Sequence, residues 1–126
     1  MKLPLVLLSA LLFSASGCAH TLATPEQIAQ ADYGTLSPTY KTAIQDHMYT
    51  VLFDPESARY RYFGDPVKGC AIVEVMGKPV FGYIVEVGIN AKNRMGGYVG
   101  EDNFTFLVRN NSVWRLSYFT PKQITP

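Results

Sequence analysis

Side chains that commonly bind metals or act as nucleophiles are scarce in this sequence. The chain of 126 residues holds two cysteines and two histidines. His20 and His47 are not spaced as zinc ligands are, and the sequence shows no base or second thiol near Cys70. We therefore expect no metal site, no cofactor and no enzymatic activity.

An excess of charge of one sign is also missing. The chain carries 11 Lys and Arg against 10 Asp and Glu, and it has no basic run. Binding to nucleic acid needs clustered cations that neutralise phosphates, so we expect no nucleic-acid partner. With 48% hydrophobic and 17% charged residues, the composition is typical of a folded chain of one domain.

The N-terminal segment is apolar, but it is too short to cross a bilayer as a helix. Lys2 precedes an apolar run over residues 3–13, about half of the roughly 20 residues that a membrane span needs. Small residues at 14–17 then lead to Cys18. A short apolar run behind one positive charge, followed by small residues, is typical of a signal peptide.

Residues 15–18, Ala-Ser-Gly-Cys, resemble the lipobox of bacterial lipoproteins, although Ala15 stands where leucine is commoner. The resemblance implies that the signal peptide 1–17 is removed and that Cys18 carries diacylglycerol and an acylated amine. Several acyl chains give stable membrane anchoring. Ala19 after the cysteine resembles an outer-membrane signal, which implies a domain facing the periplasm. The alternative is ordinary cleavage after Ala15 or Ala19, which yields a soluble periplasmic protein.

The mature chain divides into three predicted parts. Residues 18–24 are a lipidated cysteine and a short polar tether, residues 25–122 form a single domain, and residues 123–126 are a loose tail. Cys70 begins the apolar run 70–73, which predicts a buried thiol in the core.

Helix signals come first along the chain. Thr24 and Pro25 begin a short helix that Gly34 ends, with Gln27 completing a capping box. Ser37 begins the main amphipathic helix, which extends to about residue 52. His47 lies on this helix as a packed or surface side chain.

A period of two follows the helices and predicts an antiparallel sheet of about four or five strands. The predicted strands cover residues 59–63, 70–76, 80–90, 103–109 and 113–119. Asn110 and Asn111 suit a hairpin turn. Helices followed by strands predict an α+β fold, in which the main helix covers the apolar face formed by Phe81, Val85, Phe104 and Phe106.

The most distinctive segment, residues 90–100, follows the longest predicted strand. It combines glycines, asparagines and cations, and its candidate binding residues are Asn90, Lys92, Asn93, Arg94 and Tyr98. Amides can form hydrogen bonds with a partner, the cations can pair with carboxylate or phosphate, and the tyrosine can stack on a sugar or a peptide group. The alternative is turn geometry alone, because glycine and asparagine tolerate positive φ.

Three segments, residues 54–62, 82–85 and 90–100, resemble a group of small exported proteobacterial proteins. Their pattern runs Asp-Pro-x-Ser-Ala-x-Tyr-Arg, then Gly-Tyr-x-Val, then Asn-Ala-Lys-Asn-x-x-Gly-Gly-Tyr-x-Gly. The resemblance implies an envelope location and draws attention to the 90–100 loop. It implies no reaction.

These features favour a non-enzymatic envelope lipoprotein that binds an envelope protein or peptidoglycan through the 90–100 loop. One variant is an inhibitor of, or an immunity protein against, a cell-wall-acting protein. One alternative is an accessory subunit of an envelope assembly or secretion apparatus. Another is a small hydrolase that uses Cys70 or Glu74, although Glu74 and Glu86 are not expected to meet. Tyr62 and Tyr118 are alternative interface residues.

Overall fold

The computed structural model describes residues 21–126, so the predictions for the signal peptide, Cys18 and His20 lie outside it. Two helices come first, α1 (Pro25–Ala29) and α2 (Tyr40–Tyr49), followed by one 3-10 turn at Pro55–Ser57. Six strands follow: β1 (Arg59–Tyr62), β2 (Val67–Ala71), β3 (Val80–Asn90), β4 (Asp102–Arg109), β5 (Ser112–Leu116) and β6 (Lys122–Ile124). Within residues 21–126, no helix is long and apolar enough to cross a membrane.

The strands form one antiparallel sheet with the order β5-β4-β3-β2-β6. The central strand β3 pairs with β2 through its first half and with β1 through its second half, where Arg59 lies opposite Asn90. The predicted α+β class is confirmed, and the sheet is slightly larger than predicted. The additional strand is β6, a segment of three residues that the sequence pattern did not indicate.

Local hydrogen bonds of side chains determine where each helix begins. Thr24 forms the predicted capping box with Gln27, since each side chain accepts from the other's backbone N–H at 3.2 and 2.8 Å. The main helix is shorter than predicted. Ser37 does not cap it, because the Ser37 hydroxyl accepts from the Thr39 N–H at 3.2 Å in a turn that precedes Tyr40.

Helix α2 covers one face of the sheet. Its fully buried side chains, Ile44 and Met48, contact a cluster from β3 and β4: Val85, Val87, Ile89, Phe106 and Val108. Phe104 packs against the same cluster, as predicted. The prediction was wrong for Phe81, which lies at the start of β3 and meets the edge of Tyr33 at 5.6 Å instead.

A second cluster occupies the other face, with Ala71, Ile84, Leu107 and Leu116 buried together. Gly82 permits it, because a Cβ at that position would lie 2.7 Å from the Val108 carbonyl oxygen and 3.1 Å from Leu107 Cδ1. Cys70 is fully buried, as predicted. Burial raises the pKa of its thiol, which disfavours the reactive thiolate.

The predicted strand at 70–76 was wrong in position. Strand β2 ends at Ala71, and residues 72–79 form a loop in which Met76 has a φ of 57°. Val75 and Met76 are each 98% exposed. The β-branched run that indicated a strand therefore lies mostly in a loop, where Val73 packs against the second cluster and Val75 projects into solvent.

The prediction of a loose tail at residues 123–126 was also wrong. Gln123 pairs with Cys70 in the sheet, and Thr125 is only 6% exposed, with its Oγ1 atom 2.6 Å from Tyr33 Oη. The described end of the predicted tether is docked as well. The backbone N–H groups of Leu22 and Ala23 donate to Gln123 Oε1 at 2.8 and 3.2 Å.

Candidate binding site at the 90–100 loop

Ser57 joins the 3-10 turn to the 90–100 loop. Its hydroxyl donates to the Asp54 carbonyl oxygen at 2.7 Å and accepts from the Lys92 N–H at 2.8 Å. Its own carbonyl oxygen accepts from Tyr98 Oη at 2.8 Å. Two of the segments that carry the resemblance, 54–62 and 90–100, are therefore in direct contact and form one local structure.

Asn93 shapes the loop from within. Its Oδ1 atom accepts from the N–H groups of Met95 at 2.9 Å and Gly97 at 3.3 Å, and its backbone N–H donates to the Gly97 carbonyl oxygen at 2.9 Å. Gly96 completes the turn with a φ of 77°. The amide oxygen of Asn93 is thus engaged in turn geometry.

Asn90 lies at the end of β3, opposite Arg59. Its Oδ1 atom is buried, and it has no hydrogen-bond partner among residues 21–126. An amide oxygen shielded in this way is not presented to a partner. Asn90 and Asn93 are therefore not part of the exposed group that the loop displays.

A group of two aromatic rings and three cations remains, and we call it the Tyr98 surface: Phe53, Arg59 and Arg94, which are exposed, and Lys92 and Tyr98, which are half-buried. The Arg59 guanidinium carbon lies 4.2 Å from the centroid of the Tyr98 ring, and Lys92 Nζ lies 5.8 Å from the same centroid. The Arg94 guanidinium carbon lies 5.7 Å from the centroid of Phe53. Each ring therefore has at least one cation within cation–π range.

The Tyr98 surface includes residues that sequence reasoning missed. Lys92, Arg94 and Tyr98 were predicted together, whereas Phe53 and Arg59 come from segments more than 30 residues earlier. Ser57, which holds the site together, was also missed. The available signal was the resemblance itself, since the segment 54–62 contains both Ser57 and Arg59.

The cations of the Tyr98 surface form no ion pair with a carboxylate among residues 21–126. Glu101 follows the loop, but it pairs with Arg61 at 2.6 Å, and this hydrogen bond lowers the pKa of Glu101. Among the described residues, the other ion pair joins Arg109 to Asp32 at 3.0 Å. The three cations of the Tyr98 surface have no carboxylate partner within residues 21–126, and Phe53 is 64% exposed.

The other candidates for chemistry lie apart from this surface and from each other. Glu74 is exposed in the 72–79 loop, whereas Glu86 pairs with Thr105 in the middle of the sheet. The ring of His47, on α2, packs in a T-shaped arrangement with Phe106, with 6.1 Å between the ring centroids. Within residues 21–126, no three His, Cys, Asp or Glu side chains are grouped as a metal site would require.

The Tyr98 surface is suited to recognition. Guanidinium groups can hold carboxylates through paired hydrogen bonds, and exposed Phe53 and Met95 add apolar area that a partner can cover. Its described side chains include no nucleophile paired with a base. No family model matches the chain, and comparison with curated proteins and with solved structures finds none that is significantly similar.

Proposed function

We propose that this chain is a non-enzymatic lipoprotein of the bacterial envelope that binds an acidic protein partner through the Tyr98 surface. The lipobox resemblance supports lipid attachment at Cys18 and a location in the outer membrane facing the periplasm. The binding role is carried by one observation. Three cations without carboxylate partners among residues 21–126 lie beside two aromatic rings, where the 90–100 loop meets Phe53 and Arg59 and is bonded to Ser57.

A fixed loop favours binding because little ordering is needed when the partner arrives. Hydrogen bonds from Asn93 and Ser57 already determine the loop conformation. Arginine and tyrosine are also among the residues that contribute most to protein interfaces. The carboxylates of peptidoglycan could meet the cations too, but exposed Phe53 and Met95 favour a protein, which can supply matching apolar area.

The acidic partner can be of two kinds. A cell-wall hydrolase with an acidic substrate cleft would make this chain an inhibitor or an immunity protein, because the cationic loop could enter the cleft. A neighbouring subunit would make it an accessory component of an envelope assembly. Charge complementarity fits both kinds; the hydrolase is our leading candidate because its cleft could admit the loop, and the assembly subunit is the alternative.

The test is crosslinking of the tagged, full-length chain in its own membrane, followed by identification of the captured protein. The site variant is Arg59→Ala/Arg94→Ala. The matched control is Lys41→Ala/Arg115→Ala, which also removes two cations from aromatic rings, each at 4.7 Å, away from the loop. We expect capture by the wild type and the control and loss in the site variant. Equal capture by all three, or capture by none, would exclude the Tyr98 surface as the binding site.

The two remaining parts of the proposal have separate measurements. Mass spectrometry of the N-terminal peptide should find acyl groups on Cys18, and an unmodified Cys18 would exclude the anchor. If the captured protein is a hydrolase, the pure chain should slow it at micromolar concentration. A captured protein that forms a stable stoichiometric complex and shows no hydrolase activity would instead assign the chain to an assembly.

A further inference from the structure

Four large apolar side chains project into solvent from two loops, and we call them the apolar tips. In the 72–79 loop, Val75 and Met76 are each 98% exposed. In the turn between β5 and β6, Tyr118 is 91% and Phe119 is 88% exposed. Exposed apolar side chains that cluster in one place are typical of contact surfaces for a protein or a membrane.

The two loops adjoin one another. The Ile72 N–H donates to the Pro121 carbonyl oxygen at 3.0 Å, and Phe119 and Met76 line the same open groove. Tyr118 and Phe119 meet edge to face at 5.5 Å. The apolar tips therefore belong to one end of the molecule.

The described chain also begins beside this end. Leu22 and Ala23 are bonded to Gln123, which lies two residues after Pro121. Cys18 precedes Leu22 by four residues, which span at most about 14 Å when extended. A lipid on Cys18 would hold the membrane surface within that distance of the docked segment.

The charges in the two segments that carry the apolar tips permit contact with a lipid surface. Lys78 and Lys122 flank the two loops and are exposed, whereas Glu74 is the one carboxylate within residues 72–79 and 117–122. The two segments together carry a net charge of +1, from two lysines and one glutamate. Cations near a membrane surface are attracted by anionic headgroups.

We propose that the apolar tips rest in the headgroup region of the membrane beside the lipid on Cys18. This inference deepens the proposed function, since it takes the anchor at Cys18 as given. It also fixes the orientation of the domain. Gln123 pairs with Cys70 and Cys70 with Phe81 near the start of β3, whereas the Tyr98 surface adjoins Asn90 at its end. The nine steps between Phe81 and Asn90 span roughly 30 Å, so the Tyr98 surface points away from the bilayer.

The test places a photoreactive amino acid at Met76, at Phe119 or, as a control, at Met95 in the full-length chain in its own membrane. Met95 is 92% exposed, but it lies in the 90–100 loop. After illumination, adducts with phospholipid are measured by mass spectrometry, and the state of Cys18 is read in the same sample. We expect lipid adducts from positions 76 and 119 and none from position 95.

The other outcomes separate the membrane contact from the lipid anchor. Protein adducts at positions 76 and 119 would overturn the inference in favour of a protein interface. An absence of adducts there on a lipidated chain would show that the apolar tips face water and would overturn it as well. If Cys18 carries no lipid but positions 76 and 119 form lipid adducts, the anchor fails and the membrane contact stands. If both are missing, the anchor and the contact fail together.

A pair of variants checks that the apolar side chains cause the contact. With the photoreactive residue at Phe119, Val75→Ser/Met76→Ser should reduce the lipid adducts several-fold. The matched control Met95→Ser/Val99→Ser removes exposed apolar groups from the opposite end and should leave the adducts unchanged. All four side chains are at least 75% exposed, so unfolding should not obscure the comparison. An equal yield from both variants would overturn the role of the apolar tips.

Discussion

At the scale of single residues, a small side chain can hold the candidate site together while the large ones are displayed. Ser57 exposes little to a partner, yet its hydroxyl and its carbonyl oxygen join Asp54, Lys92 and Tyr98. These bonds tie Lys92 and Tyr98 to the 3-10 turn. Removing one hydroxyl should therefore affect both stability and binding.

The Ser57→Ala variant leaves the Lys92 N–H without its acceptor. Loss of such a partly buried hydrogen bond costs about 1–2 kcal/mol of unfolding free energy, which urea denaturation can measure. Capture of the crosslinked partner should also fall, because the loop loses one of its two hydrogen bonds to Ser57 and keeps only the one from Tyr98 to the backbone carbonyl. Ser112→Ala is the matched control, since Ser112 is exposed at the start of β5. If both variants had wild-type stability, the hydrogen bonds of the Ser57 hydroxyl would not stabilise the loop.

Tyr62 gives a residue-scale prediction for pH. Burial, and then the nearby Tyr60 and Tyr40, raise the pKa of Tyr62 to about 12 from the usual 10.0. Between these values the folded chain keeps a proton that the unfolded chain has lost, so stability must fall as pH rises through this window. Denaturation measured from about pH 9 upward should show the decline, and Tyr62→Phe should make it shallower. An unchanged slope in the variant would contradict the assignment to Tyr62.

At the scale of helices and strands, the sequence predicts an element well when its pattern is local. Strand β3 was predicted from end to end, because Val85, Val87 and Ile89 alternate with residues of the other face. Strand β2 was misplaced, because its residues Val67–Ala71 carry no alternation and are positioned by pairing with β3. Strand β6 has three residues, too few for a pattern, and it exists because β2 offers an edge.

The same argument explains which part of the candidate site could be predicted. Lys92, Arg94 and Tyr98 share one loop and were found by composition alone. Arg59 lies beside Tyr98 because β1 pairs with the end of β3. Phe53 lies beside Arg94 because the chain that follows α2 passes close to the loop. These are consequences of register and packing, which a single sequence does not display.

The C-terminal segment supports an element-scale prediction. Gln123→Ala removes the acceptor for the N–H groups of Leu22 and Ala23, and Ala23 is only 3% exposed. We expect a loss of about 1–3 kcal/mol in unfolding free energy, because buried donors without partners are costly. Amide hydrogen exchange at Leu22 and Ala23 should also become faster. Gln30→Ala, at an exposed glutamine, is the control, and equal effects of the two variants would count against a docked N-terminal segment.

At the scale of the whole molecule, the charge is nearly balanced, but its distribution is not uniform. The chain has a net charge of +1, yet three cations without carboxylate partners among the described residues meet at the Tyr98 surface. The apolar tips project from loops beside the docked N-terminal segment, which is hydrogen-bonded to Gln123 of β6. If both proposals hold, one end of the domain contacts the membrane and the other end contacts the partner.

Two features would maintain the proposed orientation: the short segment between Cys18 and Leu22, and the apolar tips. Their contributions can be measured separately. A flexible insertion of about ten Gly and Ser residues between His20 and Thr21 adds a mean reach of roughly 17 Å, enough to release the domain from the lipid on Cys18. The lipid still keeps the domain at high local concentration near the bilayer. We therefore expect the apolar tips to stay in contact and a photoreactive residue at Met76 to form lipid adducts as before. If those adducts fall several-fold on insertion, the short tether alone sets the orientation, and the apolar tips do not hold the membrane.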